Sequence, residues 1–153
     1  MKAAEQVNTM LKFPIFLDLA GKPVRIFGGG AIALRRASVL TEYGAVVTVV
    51  APSVLPEMAA LPVAVERRPY RPGELDGELL ALAATDDGAV NAAVVREARE
   101  KGILANDASN HENCDFYFPA VVRTETLSIG VTGTGENHRE VRDAAQKLRE
   151  AAL

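Results

Sequence analysis

The run over residues 23–36, PVRIFGGGAIALRR, limits the fold more than any other part of the chain. A short apolar stretch, 24–27, stops at Gly28-Gly29-Gly30, and apolar residues resume with helical spacing at Ile32, Ala33, Ala37 and Leu40. This reads as a strand, a turn too tight for side chains, and a helix whose first N–H groups face whatever lies over the turn. Such a place binds anions, most often a pyrophosphate. The spacing Gly28-x-Gly30-x-x-Ala33 fits the dinucleotide fingerprint, with alanine where close helix–strand packing is required. The plainer alternative is a tight turn with a structural job only.

Residues 1–12 are polar and read as a loose lead-in or a short helix. Residues 13–19, FPIFLDL, read as an edge segment laid against the sheet, with a proline near its start. The helix after the glycine turn should end near Glu42-Tyr43-Gly44, with Gly44 as its cap. Residues 45–50, AVVTVV, form the β-branched run of a parallel strand buried on both faces. At its end an NAD site usually carries an acid for the ribose. Here the chain reads Ala51-Pro52-Ser53, which leaves the task to Ser53 or to backbone groups and leaves NAD versus NADP open. Further strands are expected at 61–66, 79–84 and 103–105, with a proline-punctuated crossover over 67–77. A helix over about 89–101 should be capped by Asp86 or Asp87. Thr85-Asp86-Asp87 is either that cap alone or a ligand contact at the carboxyl end of a parallel strand.

After Asn106-Asp107-Ala108-Ser109-Asn110 the alternation of strand and helix stops. Residues 117–123 and 126–132 read as an antiparallel hairpin around Thr124-Glu125, broken by Gly133-Thr134-Gly135. Residues 136–153 form an amphipathic helix: Val141, Ala144, Ala145, Leu148 and Ala152 share one face, and Arg139, Arg142, Gln146 and Arg149 line another. The fold class is therefore α/β: a Rossmann-type parallel-sheet domain over 1–115, followed over 116–153 by a β-hairpin and helix. A hairpin and one helix cannot make a core of their own. The expected use is pairing with a second copy, giving a homodimer through 117–153.

At 153 residues the chain has room for one domain and a modest appendage. A net charge of −3, few aromatics and no Trp argue against nucleic acid or an anionic membrane as partner. No apolar run nears the roughly 20 residues of a membrane span, and the first residues lack the apolar core of a signal peptide, so a cytoplasmic location is expected. Cys114 is the only cysteine. His111-x-x-Cys114 with Asp115 falls short of a four-ligand zinc set, so no metal is expected there and Cys114 reads as a small packed residue.

The glycine turn with its leading FPIFLDLAGKPVRIFGGG, the segment Ala83 to Asp87 with Asn91, and CDFYFPAVV together resemble the precorrin-2 dehydrogenase family, the module that also forms the N-terminal part of siroheme synthases. The resemblance covers essentially the whole chain. It implies NAD-dependent oxidation of precorrin-2 to sirohydrochlorin in siroheme, cobalamin or heme synthesis, and in some members insertion of the metal as well. It also implies site residues. Gly28, Gly30, Ala31, Ile32 and Ala33 would hold the pyrophosphate, Ser53 would lie near the adenosine ribose, and Ala84, Thr85 and Asn91 would border the nicotinamide.

In the family an aspartate is the proposed acid/base at the position where this chain has Ser109. Asp107 is the alternative carboxylate, so the catalytic candidates are Asp107 and Ser109. Precorrin-2 carries many carboxylates, and in a net-acidic chain its cations must be gathered locally. Arg123, His138, Arg139 and Arg142 are the candidate set, the plainer reading of the helical arginines being a solvated face. Two other functions stay open: a bifunctional dehydrogenase and ferrochelatase, or a nucleotide-sensing module that kept the fold and lost the chemistry.

Overall fold

The structure is a computed structural model and describes residues 11–135 and 137–152. Five strands form a parallel sheet: β1 (Pro23–Phe27), β2 (Val46–Val50), β3 (Ala64–Glu66), β4 (Leu80–Ala83) and β5 (Leu104–Asp107). Helix α1 (Ala31–Glu42) joins β1 to β2, and α2 (Gly88–Glu100) joins β4 to β5. The spatial order is β3-β2-β1-β4-β5. The chain thus steps outward from β1 to β3, then returns to the other side of β1. Between β1 and β4 lies the reversal at which open α/β sheets bind ligands.

The strands read as apolar runs because both faces are covered. All four residues of β4 are buried. Helix α1 buries Ala33, Ala37 and Leu40, and α2 buries Val94, Val95 and Ala98, each along one stripe. Gly44, at φ +82°, ends α1 in the left-handed region and donates its N–H to Thr41 O at 3.0 Å. Asp87, rather than Asp86, caps α2, its carboxylate accepting from Ala89 N at 2.9 Å and Val90 N at 3.4 Å.

No helix covers the step from β3 to β4. Residues 67–79 are organised by charge. Arg25 of β1 donates from Nε to Glu78 at 2.8 Å and lies 3.8 and 3.7 Å from Glu66 and Glu74. Arg68 pairs with the same Glu66 and Glu74. From α2, Glu97 accepts from Gly73 N at 3.0 Å, Leu75 N at 2.9 Å, Lys101 Nζ at 3.0 Å and the Tyr70 hydroxyl, which folds the segment around one carboxylate and buries Leu75. Burial alone would raise the Glu97 pKa. The hydrogen bonds from Tyr70, Leu75, Gly73 and Lys101 outweigh it and bring the group down to about 2.

Several elements differ from the sequence reading, and the hairpin strands expected at 117–123 and 126–132 shorten to Ala120–Arg123 and Ser128–Val131. Residues 13–19 form no strand, and Phe13 and Phe16 are 88% and 76% exposed. An apolar run without alternation, carrying a proline that donates nothing, gives an edge strand no register. The strand expected at 61–66 shrinks to Ala64–Glu66, because a 3-10 turn, Pro56–Ala60, precedes it and buries Met58. The last strand runs on to Asp107, which pairs in register with Ala83.

The contacts divide the chain into Leu17–Tyr117 and a second unit made of residues 118–152 with the segment ending at Phe16. In the second unit β6 (Ala120–Arg123) and β7 (Ser128–Val131) pair antiparallel, and α3 (His138–Ala151) packs on β6. Thr124 closes the hairpin, its N–H reaching Leu127 O and its hydroxyl accepting from Leu127 N, both at 3.0 Å. Val122 and Ala145 are buried, while Leu127 is 59% exposed. Among the described residues no helix is long and apolar enough to cross a membrane.

Candidate functional site

Above the reversal between β1 and β4 lies a cavity of about 800 Å³. Its lining comes from four chain segments that each follow a parallel strand: the turn 28–32, the loop 50–55, Pro69 with Tyr70, and 84–87 with Val90.

Each glycine of the turn has a different physical reason. Gly28 sits at φ +124°, and a Cβ there would fall 2.2 Å from Ala84 O. At Gly29 a Cβ would fall 2.0 Å from Ser53 O, because the loop after β2 folds back and Leu55 N donates to Gly29 O at 2.9 Å. Gly30 is unlike both. Its φ of −87° suits any residue, and a Cβ there would meet nothing within 4 Å. The protein alone gives Gly30 no reason to lack a side chain. A group closely approaching the turn from the cavity does.

Gly30 is also the N-cap of α1, and no side chain caps that end. The first intrahelical bond is Leu34 N to Gly30 O at 3.0 Å, so the N–H groups of Ala31, Ile32 and Ala33 lack intrahelical acceptors. Three such donors beside an open cradle suit a pyrophosphate. The side chain of Ala33 is fully buried, as the close approach of α1 to the sheet requires.

On the β4–β5 side a chain of hydrogen bonds runs away from the cavity. Asn91, fully buried in the first turns of α2, accepts from Thr85 N at 3.1 Å and Thr85 Oγ1 at 2.6 Å, and donates back to Thr85 O at 3.1 Å. The same amide nitrogen donates to Ser109 Oγ at 3.1 Å. Ser109 Oγ donates to Asp107 Oδ1 at 2.6 Å, and Ser109 N binds the same oxygen at 2.9 Å. Asp107 is only 4% exposed. Asn113 Nδ2 approaches its other oxygen at 3.4 Å, and Cys114 Sγ lies 3.2 Å from its N–H. Burial pushes the Cys114 thiol upward in pKa, so it stays a protonated packing group.

Of the residues named from sequence, Gly28, Gly30, Ala31, Ile32, Ser53, Ala84 and Thr85 line the cavity. Ala33 and Asn91 are buried behind it, and Asp107 and Ser109 connect to it through Asn91. Arg123, His138, Arg139 and Arg142 belong to the second unit and are exposed. Sequence reasoning placed Gly29 in the tight turn without giving it a site role, and passed over Tyr70 and Val90. The position of Tyr70 just past the carboxyl end of a parallel strand was a usable signal. Gly29 occupies the free position of the fingerprint, which assigns it no ligand contact. Among the described residues no group of three or more His, Cys, Asp or Glu could hold a metal ion.

A glycine cradle on an uncapped helix, set over the reversal of a parallel sheet, defines a dinucleotide-binding domain of Rossmann type. A family model described as "Putative NAD(P)-binding" matches residues 15–120, well over half of the sequence. The chain belongs to that family. It is similar to the siroheme synthase of Azotobacter vinelandii, 42% identical over 130 residues that make up 80% of this chain and 27% of that protein. It is also similar to the "Probable multifunctional siroheme biosynthesis protein HemA" of Ruminiclostridium josui, 38% identical over 144 residues, 90% of this chain and 28% of that protein. The chain thus spans less than a third of these curated relatives. Among solved structures, "SirC, precorrin-2 dehydrogenase" superimposes with a TM-score of 0.77 at 28% identity, covering 92% of this chain and 71% of that one.

Proposed function

We propose that the chain catalyses NAD-dependent oxidation of precorrin-2 to sirohydrochlorin. The observation that carries this reading is the hydrogen-bonded series Thr85, Asn91, Ser109, Asp107, which links the dinucleotide cavity to a buried carboxylate. The similarity to a precorrin-2 dehydrogenase and to siroheme synthases supplies the substrate class.

A bound nicotinamide supplies the hydride acceptor. The protein supplies orientation and a destination for the proton. Oxidation of one reduced position of the macrocycle removes a hydride and a proton, and the proton must leave to a base. Ser109 Oγ takes that proton as it passes its own to Asp107 Oδ1, 2.6 Å away, while Asn91 Nδ2 holds the hydroxyl oxygen in place. The family's aspartate is thereby replaced by a hydroxyl backed by a carboxylate. Among the described residues no lysine or arginine lines the cavity, so a 2′-phosphate would lack a counter-charge there. This favours NAD over NADP. Arg123, His138, Arg139 and Arg142 are the cations assigned to the substrate carboxylates, on a substrate and dimer segment over 116–153 that follows a cofactor domain over 1–115.

Anaerobic incubation with precorrin-2 and either NAD or NADP, followed by sirohydrochlorin absorbance, tests the reading. Product that forms with NAD, and much more slowly with NADP, is expected. Ferrous or cobaltous ion added afterwards reports whether insertion exceeds the uncatalysed rate. Binding of NAD without any oxidation would remove the enzyme and leave a nucleotide-sensing module.

The same segment supports a homodimer. Helix α3 buries only Ala145 of its apolar face, Leu148 stays 36% exposed, and a hairpin with one helix does not bury a core alone. Sedimentation equilibrium should give twice the 16.3 kDa chain mass, and a monomer at micromolar concentration would sink the dimer.

A further inference from the structure

Tyr70 belongs to two structures at once. It lines the cavity with Pro69 and Val90, and its ring meets Phe27, the residue before the glycine turn, edge-on at 5.2 Å and 88°. Its hydroxyl donates to Glu97, a buried carboxylate outside the cavity lining. Glu97 in turn gathers Gly73 N, Leu75 N and Lys101 Nζ, and Lys101 also reaches Gly73 O at 3.3 Å and Leu75 O. The segment bearing Tyr70 has no helix to hold it, so its path is fixed by this carboxylate from one side and by Arg25 and Arg68 from the other. A carboxylate taken out of water among Val94, Val95 and Ala98 is a poor core residue unless its donors are the purpose.

The end of the cavity near Tyr70 can be assigned. In this architecture the end of the strand after the glycine helix meets the adenosine ribose, so the adenosine half lies on the β2–β3 side. Pro69 and Tyr70 come from the loop after β3. They offer a proline and an aromatic ring as a wall, the kind of surface a flat purine packs against.

We propose that Glu97 is a positioning residue for the dinucleotide site: through the hydroxyl of Tyr70 it fixes the wall against which the adenine ring packs. The proposal rests on the dinucleotide reading of the cavity and assigns it a specificity element. Glu97 itself touches no ligand. Tyr70 does.

Isothermal titration of the full chain with AMP and with nicotinamide mononucleotide separates the two ends of the site. Tyr70→Ala should weaken AMP by about tenfold and leave the mononucleotide unchanged. Tyr70→Phe removes the hydroxyl that meets Glu97, and Glu97→Gln weakens the acceptor for that hydroxyl along with its other donors, so each should weaken AMP by roughly threefold. The double variant should be no weaker than the worse single one, because both cut the same link. Equal losses for the two fragments, or losses that add in the double variant, would overturn the proposal. If Glu97→Gln does not fold, Tyr70→Phe, which removes one oxygen, decides alone. Unchanged AMP affinity in both Tyr70 variants of a chain that binds NAD overturns this proposal only. A wild-type chain that binds neither AMP nor NAD overturns the dinucleotide reading, and this proposal with it.

Discussion

A Gly30→Ala protein should fold and melt like the parent and yet bind NAD at least about tenfold more weakly. The added methyl finds no atom within 4 Å and a backbone angle it tolerates, so native contacts are untouched. It projects where the pyrophosphate must approach α1. Thermal unfolding and NAD titration on one preparation separate the two effects. The neighbouring glycines are the controls. Gly28→Ala meets Ala84 O and a left-handed φ, and Gly29→Ala meets Ser53 O, so both should lose several kcal/mol of stability whether or not ligand is present. A Gly30→Ala chain that binds NAD normally would remove the pyrophosphate from this turn.

The second large effect is on turnover. Asp107→Asn should lower the rate of precorrin-2 oxidation by about 10²–10⁴ while leaving NAD affinity unchanged. The amide can still hold Ser109 in place but cannot take its proton. Ser109→Ala should lower the rate in the same way, since it removes the hydroxyl between the buried carboxylate and solvent. Single-turnover rates at saturating NAD measure the chemical step directly. A rate that survives in both variants would take the acid/base role away from this pair. Loss in Ser109→Ala alone would make the hydroxyl the working group and Asp107 its support.

The parts of this fold that were legible in the sequence are those where one local rule decides. The apolar runs of β1, β2 and β4, the left-handed Gly44 and the fingerprint at Gly28 and Gly30 each declare themselves within a few residues. What escaped needed distant partners. Gly29 is glycine because Ser53 lies against it, a neighbour that its own turn does not name. The crossover between β3 and β4 carries prolines and charges that read as a loop. Its order comes from Arg25 in β1 and Glu97 in α2, which no window around residue 70 contains. Residues 13–19 misled in the opposite sense, since their composition suits a strand and their lack of alternation gives it no register. In the candidate site, Asp107 and Ser109 were both named from sequence as alternatives, and in the structure they form one hydrogen-bonded unit with Asn91.

The bracing of the glycine turn bears on how the chain acquires its cofactor. Gly28 N donates to Val50 O at 3.0 Å, Leu55 N donates to Gly29 O, and Ala84 N donates to Phe27 O at 2.7 Å. The turn therefore takes its final shape only after β2 and β4 have docked on either side of β1. A dinucleotide that needs this cradle therefore binds the native chain, and its binding free energy adds to the stability of that state against unfolding.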